Sequence, residues 1–285
     1  MNVNLPKKPK ANTKSVVIYT IAIISCIIAI IIVGFSYYYG SEELDRIITI
    51  GKSDYTKEEL EDQNLISKFD DVFQNKLETN SLNTEIKKSD KDKDIIYTYY
   101  SKTENNGNDY DLNLNIPYIN INNDRIQKYN DEINETFEKK AEDVLQTKNK
   151  NIAYTVQYEA TIENNILSLI IRSNLKQSSS AQRVIVQTYN YDLKNNKEIT
   201  LEDAINNKEV TVANAEEKIK KSISNEQKKV ADLKSLGYTI FERNPDDERY
   251  KVKNSKEFFL LNNKIYVIYA YGNDNLTSEM DLVII

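Results

Sequence analysis

The side chains that most enzymes use for catalysis are scarce in this sequence. Its 285 residues include no histidine and a single cysteine, Cys26. These counts exclude a Ser-His-Asp triad, a Cys-His nucleophile and a histidine-based metal site. The 6 glycines leave no room for a glycine-rich phosphate loop. The remaining candidates for chemistry are carboxylates, which occur in three short clusters.

Two of these clusters resemble the start of a calcium-binding loop. Residues 90–94 follow the pattern Asp-x-Asp-x-Asp, and residues 109–113 follow Asp-x-Asp-x-Asn. A complete loop also needs glycine at its sixth position and glutamate at its twelfth. This sequence has isoleucine or leucine at the sixth position and serine or asparagine at the twelfth. We therefore interpret both clusters as solvated charge, and we predict no metal and no cofactor.

The third cluster is Asp246, Asp247 and Glu248, which follow Pro245. A carboxylate pair can do acid–base work when its surroundings raise the pKa of one member. Adjacent side chains in a loop point apart and stay hydrated, so a structural role is favoured. Hydrolysis by carboxylates alone stays open as an alternative, but the prediction is that the chain is not an enzyme.

A recognition loop is the better candidate for a functional site. Residues 269–279, YAYGNDNLTSE, follow an apolar strand and contain a glycine at a predicted turn. Tyrosine combined with small polar residues is common in binding loops. The alternative is that the tyrosines fill the core while the asparagines shape the turn. The candidate partner-binding residues are Tyr269, Tyr271, Asn273, Asp274 and Asn275.

An uncharged apolar run from Val16 to Phe35 separates a basic tail from the rest of the chain. At the helical rise, about 20 residues cover about 30 Å, the thickness of a bilayer's hydrocarbon core. The apolar part of a cleaved signal peptide is shorter, about 7 to 15 residues. A lipoprotein signal ending at Cys26 would open onto a polar tether, whereas here the apolar run continues. We predict one transmembrane helix within residues 15–39, with lipidation of Cys26 as the alternative.

The charges around this run predict its orientation. Four lysines and no acidic residue precede it, which places residues 1–14 in the cytoplasm by the positive-inside rule. Tyrosine rings favour the headgroup layer. The predicted membrane-interface residues are Tyr19, Tyr37, Tyr38 and Tyr39. The chain is therefore predicted to be a single-pass protein of the cell membrane with an extracytoplasmic C-terminal part.

The part beyond the run is acidic. Subtracting the four lysines of the tail from 38 basic residues leaves 34 against 44 acidic residues, a net charge of −10. Such a charge repels nucleic acid, which is not an expected partner, and favours encounter with a cationic protein, although it also serves solubility.

Hydrophobic periodicity predicts an α+β fold for this outer part. Residues 40–94 are sparse in apolar positions and are predicted to form a stalk with one helix beginning near Thr56. From residue 95, segments of period two predict an antiparallel sheet. Two long amphipathic helices are expected at 124–146 and 211–234. A strand near residue 265 is apolar on both faces, which places it in the middle of a sheet.

Three segments resemble a known bacterial domain: YNYDLKNNKEITLEDAI, FFLLNNKIYVIYAYGNDNLTSEMDLVII and LNLNIPYININNDRIQKYNDEIN. They are similar to the extracytoplasmic domain shared by the lysozyme-sensing anti-sigma factor RsiV and the non-catalytic N-terminal region of the peptidoglycan deacetylase PdaC. The resemblance covers roughly residues 95–285 and implies two α+β modules, at 95–180 and 181–285.

The resemblance implies a non-enzymatic sensor or binding module of the cell envelope. Its expected ligand is a wall glycan or a cationic protein such as lysozyme. Two alternatives remain: an assembly partner that acts through its transmembrane helix, and an anti-sigma-type protein with a reduced cytoplasmic part. The catalytic domain of the deacetylase has no counterpart in this sequence, and nothing in it assigns an oligomeric state.

Overall fold

A computed structural model of the chain describes residues 56–107, 109–146 and 151–285. The chain divides into two compact units, Met1–Asn64 and Leu65–Ile285. The predicted span at 15–39, the tail and the four interface tyrosines lie outside the described residues. In the described ranges, no helix combines the length and the apolar character needed to cross a bilayer.

Runs of helices and runs of strands form a mixed α+β fold with mainly antiparallel sheets, as predicted. The helices are α1 Lys57–Ser67, α2 Asp124–Ile133, α3 Lys139–Gln146, α4 Leu201–Asn206 and α5 Val212–Ser235. The strands are β1 Leu77–Thr79, β2 Ile96–Asn105, β3 Tyr110–Ile119, β4 Ile152–Glu163, β5 Ile166–Gln177, β6 Arg183–Asp192, β7 Lys197–Glu198, β8 Phe258–Leu261, β9 Lys264–Ala270 and β10 Met280–Ile284.

The larger sheet contains seven strands in the order β2-β3-β4-β5-β6-β7, with β1 paired to β4. Most neighbours are antiparallel, but β3 and β1 run parallel to β4. Parallel neighbours need a crossover connection, and the α2–α3 helical segment supplies it between β3 and β4. The apolar faces of α2 and α3 share one buried cluster with this sheet. A helical layer therefore covers one face of the larger sheet.

The smaller sheet has the antiparallel order β10-β9-β8. The prediction that the doubly apolar strand is central is confirmed, since β9 lies between the other two strands. Ile265 and Val267 of β9 share a buried cluster with α4 and α5. Tyr266 and Ile268 share a cluster with residues of the larger sheet. The unit Leu65–Ile285 therefore consists of four layers in the order α2–α3, larger sheet, smaller sheet and α4–α5.

Three buried polar side chains of the larger sheet hold the edge strand β8. Thr161 Oγ1 donates to the carbonyl of Leu260 at 2.6 Å, and Ser168 Oγ accepts from the amide of Leu260 at 3.0 Å. Asn190 Nδ2 donates to the carbonyl of Phe258 at 2.8 Å. Without these bonds the free edge of β8 would be buried with unsatisfied main-chain groups.

The α2–α3 segment contains a π-helical turn, Asn134–Glu138. The buried positions Tyr129, Ile133, Phe137 and Ala141 are spaced by four residues. At 100° per residue, three such steps drift by about 120° around a regular helix. The π turn contains one extra residue, which offsets about 100° of this rotation. The four buried side chains therefore lie on one face of the helical segment.

Helix α5 follows its predicted stripe except at its end. The buried positions of the stripe are Ala215, Ile219, Ile223 and Val230. Leu233, which lies near the end of the amphipathic helix predicted at 211–234, is 40% exposed. The chain leaves the helix there: Gly237 has φ +88°, and Tyr238 N donates to the carbonyl of Leu233 at 3.3 Å.

The folded part begins before the predicted position 95. Phe69 and Phe73 are buried in the cluster between the two sheets, and β1 pairs with residues 160–162 of β4. Within the predicted stalk, residues 83–94 are mostly exposed, and none of them lies in a helix or strand. The module boundary predicted at residue 180 falls in the turn between the paired strands β5 and β6. The division into two modules there stays a prediction.

Candidate functional site

The predicted recognition loop is held largely inside the fold. Tyr269 and Tyr271 are only 7% and 1% exposed. The Tyr269 hydroxyl shares a hydrogen bond with Ser255 Oγ at 2.9 Å, and the Tyr271 hydroxyl donates to Asp281 Oδ2 at 2.5 Å. Burial raises the pKa of both tyrosines. These two residues therefore belong to the core, which is the alternative that the sequence left open.

The buried side chain of Arg243 holds this loop in place through Glu279 and Asp281. Arg243 donates to both oxygens of Asp281, with Nε–Oδ2 at 2.7 Å and Nη2–Oδ1 at 2.9 Å. Its Nη1 donates to Glu279 Oε2 at 3.0 Å, and the guanidinium lies 5.1 Å from the centre of the Tyr271 ring. Burial opposes the charge of Arg243, but the bonds to Asp281 outweigh it and raise the pKa of the guanidinium. Both carboxylates are thus paired with the arginine, which suits a structural role better than proton transfer.

Asn273 connects the loop to the free edge of β6. Its Oδ1 accepts from the amide of Val186 at 2.9 Å, and its Nδ2 donates to the carbonyl of Val186 at 2.8 Å. Gly272 allows this approach, because a Cβ there would lie 1.8 Å from the carbonyl oxygen of Val184. Only Asp274 and Asn275 of the five candidates are exposed. Partner binding by these residues stays a prediction.

The acidic clusters are engaged separately within the fold. Lys220 Nζ lies 2.5 Å from Asp246 Oδ1 and lowers the pKa of this carboxyl group. Asp247 accepts from the amide of Arg249 and lies 3.6 Å from its Nε, while Glu248 lies 3.4 Å from Lys253. The adjacent carboxylates therefore face three different cations. In the described ranges, no group of three or more His, Cys, Asp or Glu side chains could hold a metal ion.

A cleft of about 360 Å³ lies where the edge of the larger sheet meets the helical layer. Its aromatic wall is Tyr99 and Tyr118, and its floor is Ile116, Pro117 and Ile133. Its polar rim is formed by Gln127, Asp131, Asn134, Glu135, Glu138 and Lys139. We call this site the tyrosine cleft. Its volume lies in the range of small-molecule sites, about 300 to 1,000 Å³.

Two backbone irregularities shape the tyrosine cleft. The register of β2 on β3 shifts between Thr98 and Tyr100, so that Tyr99 is the extra residue of a β-bulge. The π turn Asn134–Glu138 supplies the opposite side of the cleft. Bulges and π turns both occur often at functional sites, where they redirect side chains. Tyr99, the residue at the bulge, is 54% exposed.

Neighbouring side chains hold the rim of the cleft in place. Gln127 Nε2 donates to Asp131 Oδ1 at 2.9 Å, and Asn134 Nδ2 donates to Glu138. Lys139 pairs with Glu135 one turn away. The centre of the Tyr118 ring lies 6.0 Å from the Tyr99 ring and 5.7 Å from the Tyr97 ring. The site therefore presents aromatic faces beside fixed donors and acceptors.

No protein-family model and no curated protein matches this chain. Solved structures similar to it include two DUF3298 family proteins. One, from Pseudomonas aeruginosa, is 12% identical with a TM-score of 0.37 and covers 72% of this chain and 90% of its own. The other, from Bacteroides fragilis, is 12% identical with a TM-score of 0.30 and covers 61% of this chain and 80% of its own. Similarity at this level carries no argument about activity.

Sequence reasoning missed both Arg243 and the tyrosine cleft. Arg243 precedes the acidic triplet by three positions, but the sequence does not indicate its partners Glu279 and Asp281, more than thirty residues away. The cleft had two local signals. The edge strand β2 carries several tyrosines, and the helix has consecutive apolar steps of four residues.

Proposed function

We propose that this chain is a membrane-anchored, non-enzymatic binding module of the bacterial cell envelope. We further propose that it is related to the extracytoplasmic domain shared by RsiV and the N-terminal region of PdaC. In this proposal, residues 15–39 anchor the chain and the C-terminal part lies outside the membrane. Its ligand is a wall component or a cationic protein such as lysozyme.

The tyrosine cleft is the observation that carries the binding part of this proposal. It is open to solvent, has an aromatic wall and has a rim of amides and carboxylates. By contrast, Asp281 and Glu279 are held by Arg243, and Asp246 is held by Lys220. The arrangement offers recognition groups that neighbouring side chains hold before a ligand arrives, which lowers the entropic cost of binding.

Retention of the full-length chain on purified cell-wall sacculi and on immobilised lysozyme tests the proposal. We expect at least one of the two matrices to retain it. The control is an unrelated acidic protein fused to residues 1–40 of this chain, because it shares the tail and anchor. Loss of the chain from both matrices, or equal retention of the control, would refute the binding function. A shorter fragment that begins at 95 is unsuitable, since it lacks Phe69, Phe73 and β1.

A further inference from the structure

We propose that the tyrosine cleft binds one unit of an uncharged saccharide chain. A sugar ring lies against the face of Tyr99, and its hydroxyls bond to the amide–carboxylate pairs of the rim. This inference rests on the proposed function and names the ligand class of its site. It also decides between the two ligand classes, a glycan and a cationic protein.

The aromatic wall fits the apolar face of a sugar ring. An aromatic ring is negative on its face, and the C–H bonds on one side of a pyranose present weakly positive hydrogens to such a face. Tyr99 is the most exposed tyrosine of the wall, and its neighbour Tyr118 is tilted by 48° to it. The two rings form an angled surface rather than one flat plane. Ile116 and Ile133 also line the cleft, although both are almost fully buried.

The rim offers donors and acceptors in adjacent pairs. In the pairs Gln127–Asp131 and Asn134–Glu138, the amide fixes one carboxylate oxygen and leaves the other oxygen available as an acceptor. Each amide also keeps its own carbonyl oxygen and a second N–H. A sugar hydroxyl donates one hydrogen bond and accepts others, so it matches such a pair. Each pair occupies positions i and i+4, so the two pairs repeat along one side of the helical segment.

The same site is less suited to a cationic side chain. An ammonium or guanidinium group in the cleft would lose water above a floor of Ile116, Pro117 and Ile133, which costs free energy unless every donor is paired. The amide N–H groups and the ammonium group of Lys139 are positively charged or polarised, so they would repel this cation. Of the three rim carboxylates, Glu135 is paired with Lys139, while Asp131 and Glu138 each accept a hydrogen bond from a neighbouring amide. An uncharged ligand avoids all three costs.

Calorimetric titration of the full-length chain in detergent tests the inference, with an uncharged N-acetylglucosamine oligosaccharide as the probe. We expect saturable binding that is the same at low and high salt, because no ion pair forms. Tyr99→Ala should weaken the affinity at least tenfold, since it removes the stacking surface. Tyr99→Phe should retain the affinity within about threefold, because the face of the ring is kept.

Tyr238→Ala is the matched control, because this tyrosine is 62% exposed but lies outside the cleft. Its affinity should equal that of the wild type, and all three variants should show wild-type thermal unfolding. Equal binding by Tyr99→Ala and wild type would overturn the assignment to the cleft. A deacetylated, cationic form of the same oligosaccharide that binds more tightly than the uncharged probe at low salt would overturn the uncharged ligand class.

Different results would refute the proposed binding function and the saccharide inference. A chain that is retained on sacculi or lysozyme but does not bind the oligosaccharide overturns this inference and leaves the proposed function in place. A chain that is retained on neither matrix and does not bind the probe overturns both. Oligosaccharide binding that Tyr99→Ala weakens and salt leaves unchanged supports both.

Discussion

Replacing Asn273 with alanine separates a structural loop from a recognition loop. The sequence pattern gives Asn273 and Asp274 the same role as neighbouring polar residues of one binding loop. In the fold their surroundings differ, because the Asn273 amide bonds to both main-chain groups of Val186. Asp274 is exposed. We therefore expect Asn273→Ala to destabilise the fold and Asp274→Ala to leave it unchanged.

The size of the effect follows from the two hydrogen bonds. Asn273→Ala removes bonds of 2.9 and 2.8 Å and leaves the N–H and C=O of Val186 without them on the β6 edge. A half-buried group that loses its partner costs about 1 to 1.5 kcal/mol, so the sum is about 2 to 3 kcal/mol. For a unit of this size that free energy lowers the Tm by about 5 to 10 °C. Asp274→Ala should stay within about 0.5 kcal/mol of the wild type.

Thermal unfolding and amide hydrogen exchange measure this difference. In Asn273→Ala, the amide of Val186 should lose protection, and the Tm should fall as given above. In Asp274→Ala, both quantities should match the wild type. The reasoning is refuted if Asn273→Ala keeps both its Tm and the protection of Val186, or if the two variants are destabilised equally.

Three further substitutions test other parts of the fold. Gly272→Ala should cost about 3 kcal/mol or more in unfolding free energy, because its Cβ would meet main-chain atoms at 1.8 Å. Asn190→Ala should cost about 2 to 4 kcal/mol by denaturant unfolding, because it removes the acceptor of the Ser168 hydroxyl and the donor to the carbonyl of Phe258. Burial raises the pKa of Glu159 from 4.5 to about 7, so the folded protein keeps a proton that the unfolded chain loses. Unfolding free energy should therefore fall with rising pH, by up to about 1.4 kcal/mol per pH unit between these values. Glu159→Gln should flatten that slope.

Periodicity predicted the elements that carry a long apolar pattern. The helix at 124–146 and the helix near 211–234 occur within a few residues of their expected ends. The central position of β9 followed from its two apolar faces. Thr200 caps α4 with a reciprocal bond to Asp203, three positions along the chain. In each of these cases neighbouring residues contain the whole signal. Local patterns are reliable there because the element and its burial share one period.

Features that depend on distant partners were not predictable from such patterns. The parallel pairing of β3 and β1 with β4 joins segments separated by a helix or by more than seventy residues. Phe69 and Phe73 lie in the segment that was predicted to form a stalk, yet they fill the space between two sheets. The bulge at Tyr99 depends on the register between two strands, which the composition of one strand does not determine.

Asparagine residues form many of the left-handed turn positions of this fold. Among the described residues, most non-glycine residues with positive φ are asparagines: Asn75, Asn151, Asn164, Asn165, Asn196, Asn262 and Asn263. With only 6 glycines in the chain, asparagine takes over the left-handed turn positions that glycine usually occupies. Asn273 and Asn275 of the recognition loop are not among these residues. The composition of that loop instead reflects the bonds of Asn273 to Val186 and the burial of Tyr269 and Tyr271. In this fold, an exposed aromatic ring at a bulge is the more selective indicator of a ligand site, because turn geometry does not require it.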